Sequence, residues 1–228
     1  MNAGLLLVQL DGDARQCMSA WDERLRATAG VGAVTWWSNL KPHRDDWIGQ
    51  WRKLRDFETL AVCEIDGSID EIVRPEGVRS LLVRRASRPS QGILRLPTLG
   101  LCVVLISPKN AADDASAAEL RRWGDLVHFP GIVEANIPGY GLVTPYENVE
   151  LTAPRFLHCY EFFDADAEAV FQMTRACVAR RLGTVPGSEA FQAWADHPAM
   201  SHDYLGNFTR ILPDGAGAHP ARTRLFAV

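Results

Sequence analysis

One stretch of the sequence, WGDLVHFPG at residues 123–131, decides how the fold of this chain is predicted. It closes an apolar helix stripe with i, i+3 and i+7 spacing, made by Leu120, Trp123 and Val127. A glycine commonly ends a helix, so Gly131 is expected to stop this one and Ile132 to Ala135 to continue as extended chain. The stretch therefore predicts a helix that carries one imidazole, that of His128, near its C-terminal end.

The predicted elements around this helix alternate between extended and helical patterns. Leu101 to Ile106 is a short apolar run typical of a buried strand, and Ser116-Ala117-Ala118-Glu119 has the capping-box form of a helix start. Downstream, the patterns predict a strand at Phe156–Phe163, helices at Ala167–Leu182 and Ser188–Asp196, and a strand at Tyr204–Leu212.

The first half of the chain shows the same order of patterns. Gly4 to Leu10 is an apolar run, and a helix stripe through Trp21 ends at Gly30. The patterns then predict a strand at Val31–Leu40, a loop with a short helix at Lys41–Asp56, a strand at Thr59–Ile65, a helix from the capping box at 68–71, and strand pieces at Leu81–Arg84 and Gly92–Leu96. Each half is therefore predicted to be β-α-β-β-α-β.

Corresponding residues of the two halves are separated by a nearly constant offset. Trp21 and Trp123 are 102 residues apart, Gly30 and Gly131 are 101 apart, and Glu64 and Glu161 are 97 apart. An offset near 100 in three successive elements indicates duplication of a module. We place the domain boundary near Pro97, which gives modules at 1–97 and 98–213 and a loosely held tail at 214–228.

A β-α-β-β-α-β module forms an antiparallel sheet with both helices on one face, which is the ferredoxin-like arrangement. The other face of such a sheet is apolar and must be covered. Two of these sheets, from the two halves or from two chains, can cover each other and enclose a pocket. The predicted fold class is α+β, with tandem ferredoxin-like modules that form an α/β barrel.

The composition is that of an ordinary globular protein, with 47% hydrophobic and 23% charged residues and a net charge of −4. Nucleic-acid binding would need a basic balance, which is missing. The N-terminus lacks the charged segment and cleavage site of a signal peptide, and no apolar run reaches the ~18 residues of a membrane span. The five cysteines show neither paired nor zinc-binding spacing. We therefore expect a cytoplasmic protein with no nucleic-acid or membrane partner.

Motifs of several enzyme classes are absent from the sequence. There is no P-loop, no H-E-x-x-H, no G-x-S-x-G and no complete G-x-G-x-x-G. His197 and His202 are five residues apart across Pro198, so they do not share a helix face and do not suggest a metal site. Nucleotide-dependent and zinc-dependent chemistry are therefore disfavoured, and no metal site is predicted.

The order of a strand, a helix ending in W-x-x-x-x-H-x-P and a further strand near a glycine resembles the dimeric α/β-barrel superfamily, which includes antibiotic-biosynthesis-type monooxygenases and EthD-like proteins. The matching residues are Trp123, His128, Pro130 and Gly131. The resemblance implies a homodimer, and cofactor-free or haem-dependent chemistry on a small molecule in a barrel cavity. In the first half, the residue five positions after Trp21 is Arg26, so only the second half has the imidazole.

His128 is the first candidate catalytic residue. The negative end of the helix dipole would favour its cationic form, so that it could act as an acid or bind an anionic substrate. A histidine in this position can also be a helix-capping or packing residue. Both roles are open on the sequence alone.

His158 and Tyr160 form the second candidate pair. Strict alternation in the predicted strand puts Phe156, His158, Tyr160 and Phe162 on one face, and Leu157, Cys159, Glu161 and Phe163 on the other. An aromatic face with an imidazole and a phenol suits the wall of a pocket, where such groups act as general acid or base. The alternative is a buried histidine paired with a tyrosine or with the backbone. Glu161, on the opposite face, is a candidate substrate-binding residue.

Four residues of the second predicted strand and the loop after it are further candidates for substrate binding: Trp36, Trp37, Asn39 and His43. Alternation places one tryptophan on each face of the sheet, with Asn39 on the side of Trp37. One indole should line the cavity, which would suit a flat aromatic or polycyclic substrate. Core packing of both rings is the alternative.

Three functional hypotheses follow from these residues. The first is a cofactor-independent enzyme of specialised metabolism that acts on a hydrophobic or aromatic small molecule by acid/base chemistry, through cyclisation, isomerisation, dehydration or oxygenation. Its catalytic residues would be His128 and His158, assisted by Tyr160. The second is a haem-binding lyase or oxygenase of the same fold, with one histidine as axial ligand. The third is a noncatalytic small-molecule-binding or assembly module.

Overall fold

A computed structural model of the chain describes residues 4–46, 48–87, 89–92, 97–110 and 113–212. The predicted tail at 214–228 and most of the strand piece predicted at Gly92–Leu96 lie outside the described residues. The boundary predicted near Pro97 falls between the fifth and the sixth strand.

Helices and strands alternate along the described residues. The helices are α1 (Ala14–Arg26), α2 (Asp114–Trp123), α3 (Phe129–Glu134), α4 (Ala167–Arg181) and α5 (Glu189–Ala195). The strands are β1 (Gly4–Leu10), β2 (Val31–Asn39), β3 (Thr59–Ile65), β4 (Arg79–Arg85), β5 (Gln91–Gly92), β6 (Gly100–Pro108), β7 (Tyr140–Asn148), β8 (Phe156–Phe162) and β9 (Met200–Ile211). Short 3₁₀ turns occur at Gly49–Trp51 and Ile69–Glu71, and a π-helical turn at Gly124–His128.

The strands form one antiparallel sheet that closes into a barrel. Their order is β4-β1-β3-β2-β9-β6-β8-β7, and β4 pairs with β7 to close the ring. The two halves meet at two seams, β2 with β9 and β4 with β7, so the modules close on each other within a single chain. The predicted α+β class, with tandem ferredoxin-like modules that form a barrel, is confirmed. The homodimer stays a prediction.

Side chains fill the interior of the barrel. The inward-facing residues of the strands, together with Phe57 from the segment before β3, form one hydrophobic cluster, whose large rings are Trp37, Phe57, Tyr146, Tyr204 and Phe208. Burial of this apolar surface stabilises the closed ring. The prediction that the two sheets enclose a pocket between them is therefore wrong, because that space is packed.

Helices cover the outer face of both halves. In the first half, α1 packs on the outward side chains of β1, β2 and β3, and Leu25 of α1 is fully buried there. In the second half, α2, α3, α4 and α5 share the outer face of β6, β7, β8 and β9. The helix cover of the second half is therefore the more extensive of the two.

The helix predicted from Ser68 is only a 3₁₀ turn, Ile69–Glu71, and Ser68 makes no side-chain capping bond. Pro75 and Gly77 follow closely, and Gly77 has a positive φ of 79°. The chain then re-enters the sheet as β4 at Arg79, which leaves no room for a longer helix. The first half therefore lacks the second helix of its module.

The helix α2 begins at Asp114 rather than at the capping box predicted from Ser116. Asp113 is the N-cap residue, and its Oδ1 accepts a hydrogen bond from the backbone N–H of Ala115 at 3.1 Å. The Ser116 hydroxyl donates to the other carboxylate oxygen of Asp113. An aspartate satisfies the free N–H groups of a first turn as well as a serine does, so the cap lies three residues before the predicted one.

Gly131 does not end the helical segment, and Ile132 to Glu134 are helical instead of extended, so this prediction is wrong. The π-helical turn follows α2 directly, and α3 continues to Glu134. Pro130 lacks a backbone N–H, but it lies in the first turn of α3, where that donor is not needed. Gly131 is needed for packing, since a Cβ there would lie 2.5 Å from Nε1 of Trp194.

The strands of the two halves have equivalent positions, although one of the predicted pairs is not equivalent. Glu64 pairs with Leu5 on β1, and Glu161 pairs with Leu101 on β6, so the two glutamates have the same register. Gly30, with a φ of 82°, directly precedes β2. Its counterpart is Gly139, with a φ of 80° directly before β7, and not Gly131.

Candidate functional site

A cavity of about 330 Å³ lies between the outer face of the second-half sheet and the helices that cover it, and we call it the sheet–helix cavity. Its apolar wall includes Val104, Ile106, Trp123, Phe171, Trp194 and Leu205. Its polar and ionisable groups include His128, His158, Tyr160, Arg175, Asp196 and His202. Small-molecule sites commonly measure ~300–1,000 Å³, so this cavity suits a ligand of one to a few rings.

Strand β8 supplies one wall of the sheet–helix cavity through its outward residues. His158 and Tyr160 point toward the helices, whereas Leu157 and Cys159 belong to the barrel interior. The predicted alternation is therefore present, and it brings His158 and Tyr160 to one wall. The pocket that they line lies outside the barrel rather than within it.

The hydrogen bonds of His128 fix its tautomer. Nδ1 lies 3.1 Å from the backbone carbonyl oxygen of Trp194, which can only accept, so Nδ1 carries the proton and donates. Nε2 of the neutral ring then has a lone pair, and it accepts a hydrogen bond from the Tyr160 hydroxyl at 3.0 Å. His128 and Tyr160 are brought together although 32 residues separate them.

Reciprocal contacts hold the π-helical turn against α5. Nε1 of Trp194 donates to the backbone carbonyl of His128 at 3.0 Å, and Nε1 of Trp123 donates to that of Ala193 at 3.2 Å. The imidazole of His128 stacks on the Trp194 indole with ring centroids 5.0 Å apart, and it packs against Trp123 at 4.8 Å. These contacts restrict the ring to the orientation in which Nε2 faces Tyr160.

Burial keeps both members of the pair neutral. Loss of solvent lowers the pKa of His128 to about 4, although the carbonyl of Trp194 favours the protonated ring. Burial also raises the pKa of Tyr160 well above its usual value. The cationic His128 expected from the helix dipole is therefore not the form that this site favours, because desolvation exceeds the effect of a dipole.

His158 lies beside the pair on the same wall. It is 4% exposed, its ring meets the edge of Phe129 with centroids 4.7 Å apart, and its centroid is 6.5 Å from that of His128. The three residues predicted to be catalytic, His128, His158 and Tyr160, therefore meet at one place.

A third imidazole, that of His202 on β9, also lines the sheet–helix cavity. Burial lowers the pKa of His202, against the opposing influence of Asp196 and Asp203. Asp196 follows α5 directly and lies on the cavity wall as well. Among the described residues, Asp196 is the carboxylate of the cavity wall, and its charge raises the pKa of His202 against the effect of burial.

Arg175 brings a guanidinium to the cavity from α4. Phe171 and Thr174 lie on the same face of α4, and both also line the cavity. Its guanidinium carbon lies 5.0 Å from the ring centroid of Phe191 on α5, and burial lowers its pKa. The side chain is therefore held at the junction of α4 and α5.

Neither tryptophan of β2 lines the sheet–helix cavity, so the prediction that one of them would is wrong. Trp36 points outward under α1, and its Nε1 donates to Asp22 at 2.7 Å. Trp37 is fully buried in the barrel interior, where its Nε1 donates to the Thr35 hydroxyl at 2.9 Å. Both rings pack in the core, which was the alternative interpretation.

The other substrate-binding candidates of the first half are also distant from the cavity wall. Asn39 lies on the side of Trp37, as predicted, and donates to the carbonyl of Phe57 and to the Tyr204 hydroxyl inside the barrel. His43 is largely exposed, with Nδ1 3.6 Å from a carboxylate oxygen of Asp56. Asn39 therefore has a structural role inside the barrel, and His43 lies on the surface.

Glu161 is buried in the barrel interior, and the Thr98 hydroxyl donates to its Oε2 at 2.5 Å. Burial raises its pKa to about 8. Glu64, its counterpart in the other half, has a pKa raised to about 7 by burial and by Asp66, and Arg210 opposes both shifts. Glu161 therefore belongs to a polar layer inside the barrel and does not contact the sheet–helix cavity.

Sequence reasoning missed three residues of the cavity: Trp194, Arg175 and His202. Trp194 lies on a helix that was predicted, but its contact with His128 spans 66 residues. Arg175 carries a charge within a helical pattern, which normally indicates a solvated face. His202 lies two residues before the last predicted strand, Tyr204–Leu212, and it was considered only for its spacing from His197, whereas β9 begins at Met200 and includes it.

The arrangement does not fit haem ligated by His128. An axial histidine needs open space in front of its free nitrogen, and Nε2 faces the Tyr160 hydroxyl at 3.0 Å. Nδ1 is engaged with the backbone of Trp194. Among the described residues, no group of three His, Cys, Asp or Glu side chains is arranged to hold a metal ion. No helix in that part of the chain is both long enough and apolar enough to cross a membrane.

Comparison with solved structures finds proteins of similar fold. A major regulator of staphylococcal pathogenesis is 10% identical with a TM-score of 0.50, over 91% of this chain and 99% of that chain. A chlorite dismutase variant from Candidatus Nitrospira defluvii is 10% identical with a TM-score of 0.50, over 91% of each chain. A candidate monooxygenase from Fusobacterium nucleatum is 11% identical with a TM-score of 0.49, over 92% of this chain and 94% of that chain.

No protein-family profile and no curated protein matches the sequence. The structural similarities concern the fold alone, because the identities are low. The chain shares with these structures a ferredoxin-like α/β-barrel fold, which the order of elements around His128 implied.

Proposed function

We propose that the chain is an enzyme that binds a hydrophobic, aromatic small molecule in the sheet–helix cavity and moves a proton through Tyr160 and His128. One observation carries this proposal: the Tyr160 hydroxyl donates to Nε2 of a neutral, buried imidazole at the cavity wall. General acid/base chemistry needs donor and acceptor within about 2.6–3.2 Å of each other, and this pair meets that requirement.

The pair acts as a relay. A hydroxyl or acidic C–H group of the substrate gives its proton to the Tyr160 oxygen, while the Tyr160 proton passes to Nε2 of His128. Tyr160 does not become an anion in this process, which suits a phenol whose pKa is raised by burial. The products of the step are a substrate anion and an imidazolium.

Two features stabilise the imidazolium once it forms. The hydrogen bond from Nδ1 to the Trp194 carbonyl becomes charge-assisted, and the adjoining indoles of Trp123 and Trp194 attract a cation. The substrate anion raises the proton affinity of the ring further, because opposite charges interact strongly in a water-poor cavity. Proton transfer is therefore coupled to the presence of the substrate.

A substrate anion formed in this way is a starting point for cyclisation, isomerisation, dehydration or oxygenation. The proposed proton transfer itself needs no cofactor. His158, on the same wall, is positioned as a second acid or base for a later proton transfer. Specialised metabolism is the proposed setting, because its substrates include many flat aromatic molecules that fit an apolar cavity of this size.

The test uses 2-tetralone, a bicyclic aromatic ketone with acidic C–H groups, in D₂O. The protein should accelerate deuterium exchange at these positions, as measured by mass spectrometry. Tyr160→Phe removes the relay hydroxyl and should slow the exchange by ~10²–10⁴-fold. Tyr146→Phe is the matched control, since Tyr146 is fully buried inside the barrel and should leave the rate unchanged.

Three outcomes are distinguishable in this experiment. Equal rates in Tyr160→Phe and the unchanged protein would contradict the relay. Binding of 2-tetralone without any exchange, measured by calorimetry, would favour the noncatalytic binding module. Absence of both binding and exchange would contradict the assignment of the sheet–helix cavity as a site for aromatic ketones.

A further inference from the structure

Tyr140 brings a second phenol to the wall of the sheet–helix cavity. Its hydroxyl is buried, and among the described residues it has no hydrogen-bond partner. A buried hydroxyl without a partner costs free energy that a phenylalanine at the same position would not cost. Packing within the protein therefore accounts for the ring of Tyr140 but not for its hydroxyl.

The strand register places Tyr140 beside Tyr160. Tyr140 begins β7 and pairs with Phe162 of β8, and Tyr160 lies two residues before Phe162 on the same face of the sheet. The two tyrosines are therefore diagonal neighbours on adjacent strands, and such neighbours are about 7–8 Å apart, within reach of aromatic side chains. The ring of Tyr140 packs against that of Phe162, with centroids 6.1 Å apart. Both phenols thus border one part of the cavity wall.

The two hydroxyls differ in what they can still bind. The Tyr160 hydroxyl donates to Nε2 of His128, so its proton belongs to the relay. The Tyr140 hydroxyl has no acceptor among the described residues. Burial raises the pKa of Tyr140, and a charged Glu161 would raise it further, so the phenol stays protonated. Tyr140 is therefore a permanent hydrogen-bond donor whose acceptor a ligand in the cavity can supply.

We propose that Tyr140 donates a hydrogen bond to a carbonyl oxygen of the substrate, and that the substrates are aromatic ketones with an acidic C–H group next to the carbonyl. This inference rests on the proposed function and specifies the substrate class of the same site. A ketone of this kind presents an acceptor and an acidic hydrogen on different atoms. That arrangement matches a donor and a relay on neighbouring strands.

The bond that breaks is the C–H bond next to the carbonyl. Its proton goes to the Tyr160 oxygen while the Tyr160 proton goes to Nε2 of His128, and the electron pair of the C–H bond shifts onto the carbonyl oxygen. The products are an enolate and an imidazolium, so charge is conserved. The hydrogen bond from Tyr140 strengthens as negative charge develops on the oxygen, because charge-assisted bonds are the stronger ones. Tyr140 therefore lowers the barrier more than it tightens ketone binding.

The experiment measures the rate of deuterium exchange into 2-tetralone as a function of its concentration, with the full chain and with Tyr140→Phe. Removal of one donor to a developing oxyanion lowers kcat by ~10²–10³-fold, and we expect this loss with KM nearly unchanged. Tyr146→Phe is the matched control, since Tyr146 lies on the same strand but faces the barrel interior, and it should keep both constants.

Thermal unfolding separates this catalytic role from a structural one. Tyr140→Phe removes a buried hydroxyl that has no partner in the described part of the chain, so its Tm should equal or exceed that of the unaltered protein. A hydroxyl that supported the fold would instead lower the Tm when removed. The expected variant is therefore as stable as the unaltered protein and much slower.

An unchanged kcat in Tyr140→Phe would overturn the inference, as would a rise in KM alone or a fall in Tm. In each of these cases the proposed function stands if Tyr160→Phe still slows the exchange. If the unaltered protein does not exchange 2-tetralone at all, the inference and the proposed function are overturned together.

Discussion

The outer faces of the two modules are covered in different ways. In the first half, α1 lies directly on the sheet, and Arg26 at its end donates to Asp22 and to the backbone carbonyl of Val34. In the second half, the residue at the same spacing after a tryptophan is His128, which lies on a cavity wall and contacts Tyr160. Related sheets thus carry a packed face in one half and a cavity in the other.

The connections between helix and strand also differ between the two halves. In the first half, α1 ends at Arg26 and β2 begins at Val31. In the second half, the π-helical turn and α3 are inserted between Trp123 and Tyr140. The added segment supplies His128 and Ile132 to the wall of the sheet–helix cavity, so the site lies where the second half has more connecting chain.

The largest expected effect is on activity, and it compares the two corresponding side chains. His128→Ala should lower the rate of deuterium exchange into 2-tetralone by ~10²–10⁴-fold, because the Tyr160 proton loses its acceptor. Arg26→Ala should leave the rate per folded molecule unchanged, since Arg26 donates to Asp22 and Val34 and is not part of the cavity wall as the structure describes it. A loss of exchange in Arg26→Ala as large as that in His128→Ala would show that the two faces are functionally linked.

The second effect is on stability, and it compares packing in the two faces. Leu25→Ala in the first half should lower the free energy of unfolding by ~2–5 kcal/mol, because Leu25 is fully buried and its removal leaves a void. Ile132→Ala in the second half should cost less, because Ile132 already borders the cavity and loses fewer contacts. Urea unfolding measures both values, and a larger loss for Ile132→Ala would contradict the packing difference.

The third effect is the dependence of stability on pH, which has opposite signs at the cavity and in the barrel. The pKa of His128 is lowered to about 4 from 6.5, so its contribution is present above pH 6.5 and is lost as the pH falls through 4. The pKa of Glu161 is raised to about 8 from 4.5, so its contribution is present below pH 4.5 and is lost as the pH rises through 8. Each contribution is on the order of 3–5 kcal/mol.

Substitutions of the titrating residues separate these pH-dependent contributions to the free energy of unfolding, measured by urea unfolding at several pH values. His128→Gln should reduce the loss of stability below pH 6.5, and Glu161→Gln should reduce the loss above pH 4.5. Glu64, whose pKa is raised to about 7, titrates in the same direction as Glu161, so Glu64→Gln should remove part of the same loss. Parallel pH curves for Glu161→Gln and the unaltered protein would contradict the account of the barrel interior.

The parts of the fold that the sequence predicted depend on local patterns. The period of two in β8 identified its two faces and placed His158 with Tyr160, because alternation is a property of any strand. The motif around His128 indicated the fold, and the offset between Glu64 and Glu161 predicted a repeated module; the two glutamates do have the same strand register. Each of these signals lies within a single element or a repeated one.

The parts that the sequence did not predict depend on contacts between distant elements. Gly131 resembles a helix end, yet it is a close-packing residue, because its neighbour Trp194 lies 63 positions further along the chain. The neutral state of His128 follows from its burial beneath α5, whereas the helix dipole is the only influence that local sequence reveals. Alternation in β2 correctly predicted that Trp36 and Trp37 lie on opposite faces of the sheet. Whether a face of the sheet borders a cavity depends on the helices that cover it, which alternation does not reveal.

The two seams of the closed ring have a consequence for how the chain is made. Trp36 of β2 pairs with Ile211 of β9, and Val83 of β4 pairs with Asn148 of β7. Both edge strands of the first module are therefore synthesised well before the strands with which they pair. Until then, β2 and β4 present unpaired backbone groups, which are templates for association with other chains. Pairing with β9 and β7 covers these two edges in the described part of the chain, so aggregation through them is a risk for nascent and unfolded chains.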